Sequence, residues 1–283
     1  MSSLGGHTSA SILLLIVCSS LVLAFSLARA QTEYSIEIRG YTWDHSTITV
    51  RILPQQNMTW WKPEYLNASL QGISQWNDAM QEFAQNNPSF SFLSDVRFVP
   101  TISYEVVSGF NVYMGWIAEC ASEEVIGQTE TTVKFPCHSM NSTVCLSAKA
   151  PSGHVMTEVD MQNIVVHELG HVIGLSHTNI SRDVMYPTVY YQETVKPLST
   201  LDMYGVAKLF ELATTGACPE EDLVIMPQSI GYSQLEIAPE NVPSQNLTEY
   251  AIRILSRPEV FIIVVTLLIV VVAFLARQRK KLT

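Results

Sequence analysis

Apolar and polar residues alternate over 34–39 and again over 46–53, the pattern of strands buried on one face. From Pro63 the period changes. Leu66, Leu70, Ile73, Trp76, Met80 and Phe83 recur at helical spacing until Pro88 stops the pattern, which predicts one long amphipathic helix packed on a sheet. Residues 95–100, 110–117, 125–135 and 144–148 read as further strands. Thr157 or Asp160 can cap a second helix, running through His167 and His171. Ser199-Thr200-Leu201-Asp202 has the form of a capping box opening a third, with Met203, Val206, Ala207 and Phe210 facing inward. Strands followed by a packing helix, a histidine-bearing helix, an irregular stretch and a final helix predict an α+β domain over 31–218, with a mixed sheet and about three helices.

Two apolar runs fall outside that domain. Residues 12–27 are apolar but for Cys18-Ser19-Ser20 and Ser26, and end in Ala28-Arg29-Ala30, a small-x-small pattern expected of a signal peptide over 1–30. Residues 260–276 carry no charge and are followed by Arg277, Arg279, Lys280 and Lys281, as a membrane-spanning helix with a cytoplasmic stop-transfer cluster would be. Between domain and span, 219–258 turns acidic and Pro-bearing, which predicts a stalk without a core. The expected layout is a type I single-pass protein of the cell membrane: signal 1–30, extracellular domain 31–218, stalk 219–258, span 259–276 and basic tail 277–283.

Charge agrees with that layout. The formal net charge is −10; all 26 acidic residues lie between Gln31 and Glu259, with only 11 of the 16 basic ones. So acidic a surface excludes nucleic acid as a partner and disfavours anionic lipid surfaces. Of five cysteines, Cys18 falls in the signal. The other four form an even set in an exported segment, so two disulfides are expected, with Cys137–Cys145 closing a local loop and Cys120–Cys218 tying down the last helix. A zinc site built on these cysteines is the weaker reading, since they lack Cys-x-x-Cys spacing. Sequons at Asn57, Asn67, Asn141, Asn179 and Asn246 suit a glycosylated exterior.

The chemistry concentrates in His167-Glu168-Leu169-Gly170-His171-Val172-Ile173-Gly174-Leu175-Ser176-His177. Histidines four apart share one helix face, so both imidazoles reach one ion, while Glu168 stays beside it to handle a proton. Gly174 permits a positive φ that turns the chain and brings His177 back as a third ligand. Three nitrogen ligands leave a tetrahedral Zn²⁺ one open position, the arrangement of a catalytic site. A five-position match of this kind arises by chance well below roughly once in a million start positions.

This pattern resembles the metzincin clan of zinc peptidases. Asp183-Val184-Met185-Tyr186-Pro187 downstream resembles the Met-turn of the matrixins, and Thr178 directly after the third histidine is also matrixin-like. Matrixins place a Tyr two residues beyond that Pro, on the S1′ wall; here Val189 stands there, with Tyr190 and Tyr191 following. The resemblance implies a zinc endopeptidase acting on peptide or protein substrates, with Glu168 as general base, Met185 beneath the ligands, and Tyr186, Val189 and Tyr190 lining the pocket. An extended peptide would lie along a sheet edge supplied by 110–117 or by 125–132. Calcium stays a candidate second ion, because carbonyl ligands leave no trace in sequence. Outside the motif the domain holds only His45, His138 and His154, too few for a second zinc site of the matrixin kind, and His154 reads as a loop residue. No Cys-switch segment precedes the domain, so latency is expected to work differently. The rival readings are a catalytically silent zinc-binding adhesion or receptor ectodomain, which has no need of Glu168, and a non-peptide metallohydrolase, which the Met-turn disfavours.

Overall fold

The structure is a computed structural model; it describes residues 33–236 apart from 106–107, 120–124, 189–190, 192–193, 216 and 221. The signal 1–30, most of the stalk, the span 259–276 and the basic tail therefore lie outside the described residues. Among those described, no helix is long and apolar enough to cross a membrane.

Five strands form the main sheet: β2 (Thr47–Leu53), β3 (Arg97–Ile102), β4 (Val112–Ile117), β5 (Gly127–Lys134) and β6 (His138–Ser147). Their order is β3-β2-β4-β6-β5, parallel except for β5, which runs antiparallel to β6 along one edge. This mixed sheet carries α1 (Pro63–Asn86) and α2 (Glu158–Ile173), with a 3₁₀ segment, Pro88–Asp95, between α1 and β3. The predicted strands and helices thus exist, but β6 begins earlier than expected. Its first half carries Ser139 and Ser142, buried yet polar, so the alternation that reveals strands is lost there.

Pro63 stands in the first turn of α1, where its missing N–H costs nothing. The buried face centres on Tyr65, Ala68, Ile73, Trp76, Met80 and Phe83, with Leu66 and Leu70 flanking it rather than leading it. Two indole donors tie the core to α2: Trp76 Nε1 donates to Val166 O and Trp43 Nε1 to Val172 O, each at 2.8 Å. Almost every residue of α2 from Asp160 onward is buried, so this helix is the spine of the domain.

A second, three-stranded sheet has the order β7-β1-β8. It joins β1 (Ser35–Ile38), β7 (Leu175–Thr178) and β8 (Asp222–Ile225), all antiparallel. The third helix, α3 (Thr200–Thr215), opens with the expected capping box: Ser199 N donates to Asp202 Oδ2 (2.8 Å) and Asp202 N to Ser199 Oγ (3.2 Å).

Two expectations need correction. The domain does not stop at 218: β8 completes a sheet, Met226 and Leu235 are buried, and Leu235 N donates to Leu198 O at 2.8 Å. An acidic, Pro-bearing composition concealed a four-residue strand and the strap that follows it. The disulfide pairing also differs, since Cys137 is bonded to Cys218. Cys137 lies in the β5–β6 turn and Cys145 is eight residues on, along β6. In extended chain that separates them by about 26 Å, far beyond disulfide reach. Cys218 does tie down the chain after α3, but to Cys137. Cys120 lies outside the described residues.

Candidate metal centre

Helix α2 starts at Thr157, whose side chain accepts from Asp160 N while the Asp160 carboxylate accepts from Thr157 N, a complete capping box. Both sequence candidates for the cap thus act together. His154 is indeed in a loop; its Nε2 lies 2.8 Å from Asp160 Oδ2 and its ring stacks on Tyr191. Burial would raise the Asp160 carboxyl, yet the hydrogen bonds from His154 and Thr157 hold it below the ordinary carboxylate range.

At the other end, Gly174 is the left-handed C-cap, with φ 117° and ψ 9°. Two of the last carbonyls of α2 accept side-chain donors: Tyr41 OH donates to His171 O (2.9 Å), which also accepts from Gly174 N, and Trp43 Nε1 donates to Val172 O. The chain then turns directly into β7, which brings His177 back to the helix. The three imidazoles meet as predicted: ring centroids are 4.7 Å apart for His167 and His171, 5.3 Å for His167 and His177, and 4.9 Å for His171 and His177. One nitrogen from each lies within 4.8 Å of the other two.

Their second nitrogens explain the orientation. His167 Nδ1 lies 2.8 Å from Val184 O and His171 Nδ1 lies 2.9 Å from Leu175 O. A carbonyl only accepts, so each Nδ1 carries the proton and each Nε2 keeps its lone pair for a cation. Burial holds the His167 imidazole down to about 4 and pushes His171 and His177 the same way, so the rings stay neutral. Three converging neutral imidazoles, two with the second nitrogen held by backbone, are a donor set that fits zinc.

Glu168 is buried beside this cluster and faces β5. Thr129 Oγ1 donates to its Oε2 at 2.7 Å. Burial pushes the carboxyl up to about 7, against the opposing pull of the Thr129 hydroxyl. Of the two candidate edges, 110–117 is β4, which is enclosed between β2 and β6. Strand β5 is an edge of the sheet among the described residues, as β3 is at the other side, and β5 is the edge that touches Glu168.

Met185 is fully buried against the Gly170 position of α2, next in sequence to His171. Its turn is held by Asp183 Oδ1, which accepts from Met185 N at 3.0 Å, and by Thr178 N donating to Met185 O at 3.1 Å. Ser199 Oγ lies 2.6 Å from Asp183 Oδ2 and 2.9 Å from Asp202 Oδ2. One hydroxyl proton cannot serve two buried carboxylates. Burial, and then the charge of Asp183, raise Asp202 well above the ordinary range, so it keeps its own proton. Tyr186 is half-buried just after the turn, whereas Val189 and Tyr190 lie outside the described residues. Sequence reasoning missed Thr129, Asp183 and the carbonyls of Val184 and Leu175. Asp183 was visible in the Asp-Val-Met-Tyr-Pro run; the carbonyls left no signal.

The matrixin family profile matches residues 42–211, more than half of the sequence. The chain belongs to the matrixin family. Its relatives include metalloendoproteinase 2-MMP of Arabidopsis thaliana, 34% identical over 56 residues, which is 20% of this chain and 15% of that protein. Metalloendoproteinase 4-MMP of Arabidopsis thaliana is 38% identical over 52 residues, 18% of this chain and 15% of that one. Metalloendoproteinase 1 of Glycine max is 34% identical over 56 residues, 20% of this chain and 18% of its own. The aligned stretch thus spans less than a fifth of these relatives. In this matrixin, β8 and its strap lie beyond the matched residues.

Proposed function

We propose that this matrixin is a zinc-dependent endopeptidase whose catalytic domain faces the cell exterior, anchored as a type I membrane protein through 259–276. The observation that carries the activity is the convergence of His167, His171 and His177 beside a buried carboxylate at an open strand edge. The three histidines would hold Zn²⁺, and Glu168 stays off the ion. Bound there, zinc supplies Lewis acidity toward the scissile carbonyl and the attacking water.

The chain's own residues do the rest. An extended peptide pairs with the free edge of β5, held mainly through its backbone. Glu168 takes a proton from the water as its oxygen adds to the carbonyl carbon. When the C–N bond breaks, the same carboxyl returns that proton to the departing amine nitrogen. Val184 O and Leu175 O keep the His167 and His171 rings in the tautomer that offers Nε2 outward. Tyr186, with Val189 and Tyr190, walls the pocket for the side chain beyond the cleaved bond.

The test is digestion of a mixed peptide library by the purified protein, with and without a chelator, alongside Glu168→Ala. Internal cleavage that the chelator abolishes is expected. Glu168→Ala should keep one zinc per chain and lose about a hundred- to ten-thousand-fold in rate, the range of a lost general base. A zinc-loaded wild-type protein that cleaves nothing would leave the silent ectodomain standing instead.

A further inference from the structure

We propose that Thr129 is a positioning residue that fixes the carboxylate of Glu168, an assignment that rests on the peptidase reading above. Glutamate has three rotatable side-chain bonds, and adjacency to His167 constrains only its backbone. Something must aim the carboxylate. Two residues of β5 do so, at positions i and i+2, which share one face of a strand.

Gly127 provides the room. A Cβ there would fall 2.5 Å from Glu168 Oε1, 2.9 Å from its carboxyl carbon and 2.7 Å from Ile164 Cγ2. The carboxylate therefore lies flat against the strand at a point where any side chain would displace it. Thr129 provides the anchor. Its Oγ1 is 2.7 Å from Glu168 Oε2 and 3.2 Å from the Glu168 carbonyl oxygen. A hydroxyl has one proton to give, and the shorter contact to an ionised oxygen is the stronger bond. Among the described residues Glu168 has no other side-chain hydrogen-bond partner. With Oε2 held, Oε1 is the oxygen left to receive the proton of water.

The same strand edge is the place proposed for the substrate backbone. Thr129 thus links two requirements, a peptide in register on β5 and a base at a fixed height beside it. The hydroxyl acts only through Glu168 and touches no reacting atom.

The experiment compares zinc-loaded Thr129→Val and Thr129→Ser with the wild type in the full-length protein. Valine keeps the shape and removes the donor; serine keeps the donor. Thr129→Val should lower kcat about tenfold or more, the scale of a lost charge-assisted hydrogen bond, with KM within about twofold. Thr129→Ser should restore kcat to within about threefold, and all three proteins should bind one zinc per chain. Unchanged kcat in Thr129→Val overturns the proposal, as does a Thr129→Ser variant impaired equally. Crystal structures add a readout independent of turnover. The Glu168 carboxylate should leave its position over Gly127 in Thr129→Val and keep it in Thr129→Ser. If the wild type cleaves no peptide, the peptidase reading falls, and an unmoved carboxylate in the valine variant then overturns the proposal separately.

Discussion

Gly174 decides whether the third histidine reaches the other two. Its φ of 117° is open to glycine and costly to L-residues, about 1–2 kcal/mol for a left-handed conformation. A Cβ there would also fall 2.7 Å from the carbonyl oxygen of Tyr41, which is backbone and cannot swing aside. Alanine would gain about 1 kcal/mol of helix propensity only inside a helix, and this position lies past its end. We expect Gly174→Ala to lower stability by more than 1–2 kcal/mol in denaturant titrations, strain and collision adding together. Zinc affinity should fall with it, because β7 and His177 must shift. Wild-type zinc affinity in that variant would show that the turn is not what places His177. The glycine, the three histidines and Glu168 were all legible in the sequence, because a ligand motif fixes residue types at fixed spacing. Thr129 was not legible, since its partner lies 39 residues away and hydroxyls are ordinary in strands.

Among elements, the turn around Met185 and the start of α3 form one buried polar unit through Asp183, Ser199 and Asp202. Asp202 keeps its proton when folded and releases it when unfolded, at the ordinary carboxylate value near 4. Above that pH the folded state binds more protons than the unfolded one. Its contribution to stability is therefore full below about pH 4 and declines as pH rises toward the raised folded value. Asparagine cannot ionise and removes this slope. Unfolding measured at pH 5 and pH 8 should show Asp202→Asn gaining stability relative to wild type at the higher pH. Parallel curves would mean that Asp202 is ionised in the fold. The element boundaries show where pattern reading fails. Alternation located β2, and Pro63 marked the start of α1. Yet β6 was half hidden by its buried serines, and β8 by the acidic stretch around it.

Across the molecule, the centre draws on segments far apart in sequence: α2 and β7 for the imidazoles, the Met185 turn for the His167 tautomer, β5 for Glu168, and β1 for the pairing that seats β7. Strap and disulfide add further ties between distant segments. Tyr232 stacks on Tyr34 at 4.6 Å, Thr200 N donates to Ser233 O, and Cys218 is bonded to Cys137. The order of patterned strands and helices predicted the α+β class and a single domain. It had no means of pairing cysteines, because the pairing depends on which turn a distant segment passes. The claim on which everything else depends is that three imidazoles bind one zinc ion. X-ray absorption at the zinc edge of the purified protein tests it most directly. Three imidazole nitrogens at about 2.0–2.1 Å and one oxygen are predicted, falling to two imidazoles in His177→Ala. A sulfur neighbour near 2.3 Å, or a wild-type spectrum with fewer than three imidazoles, would contradict it.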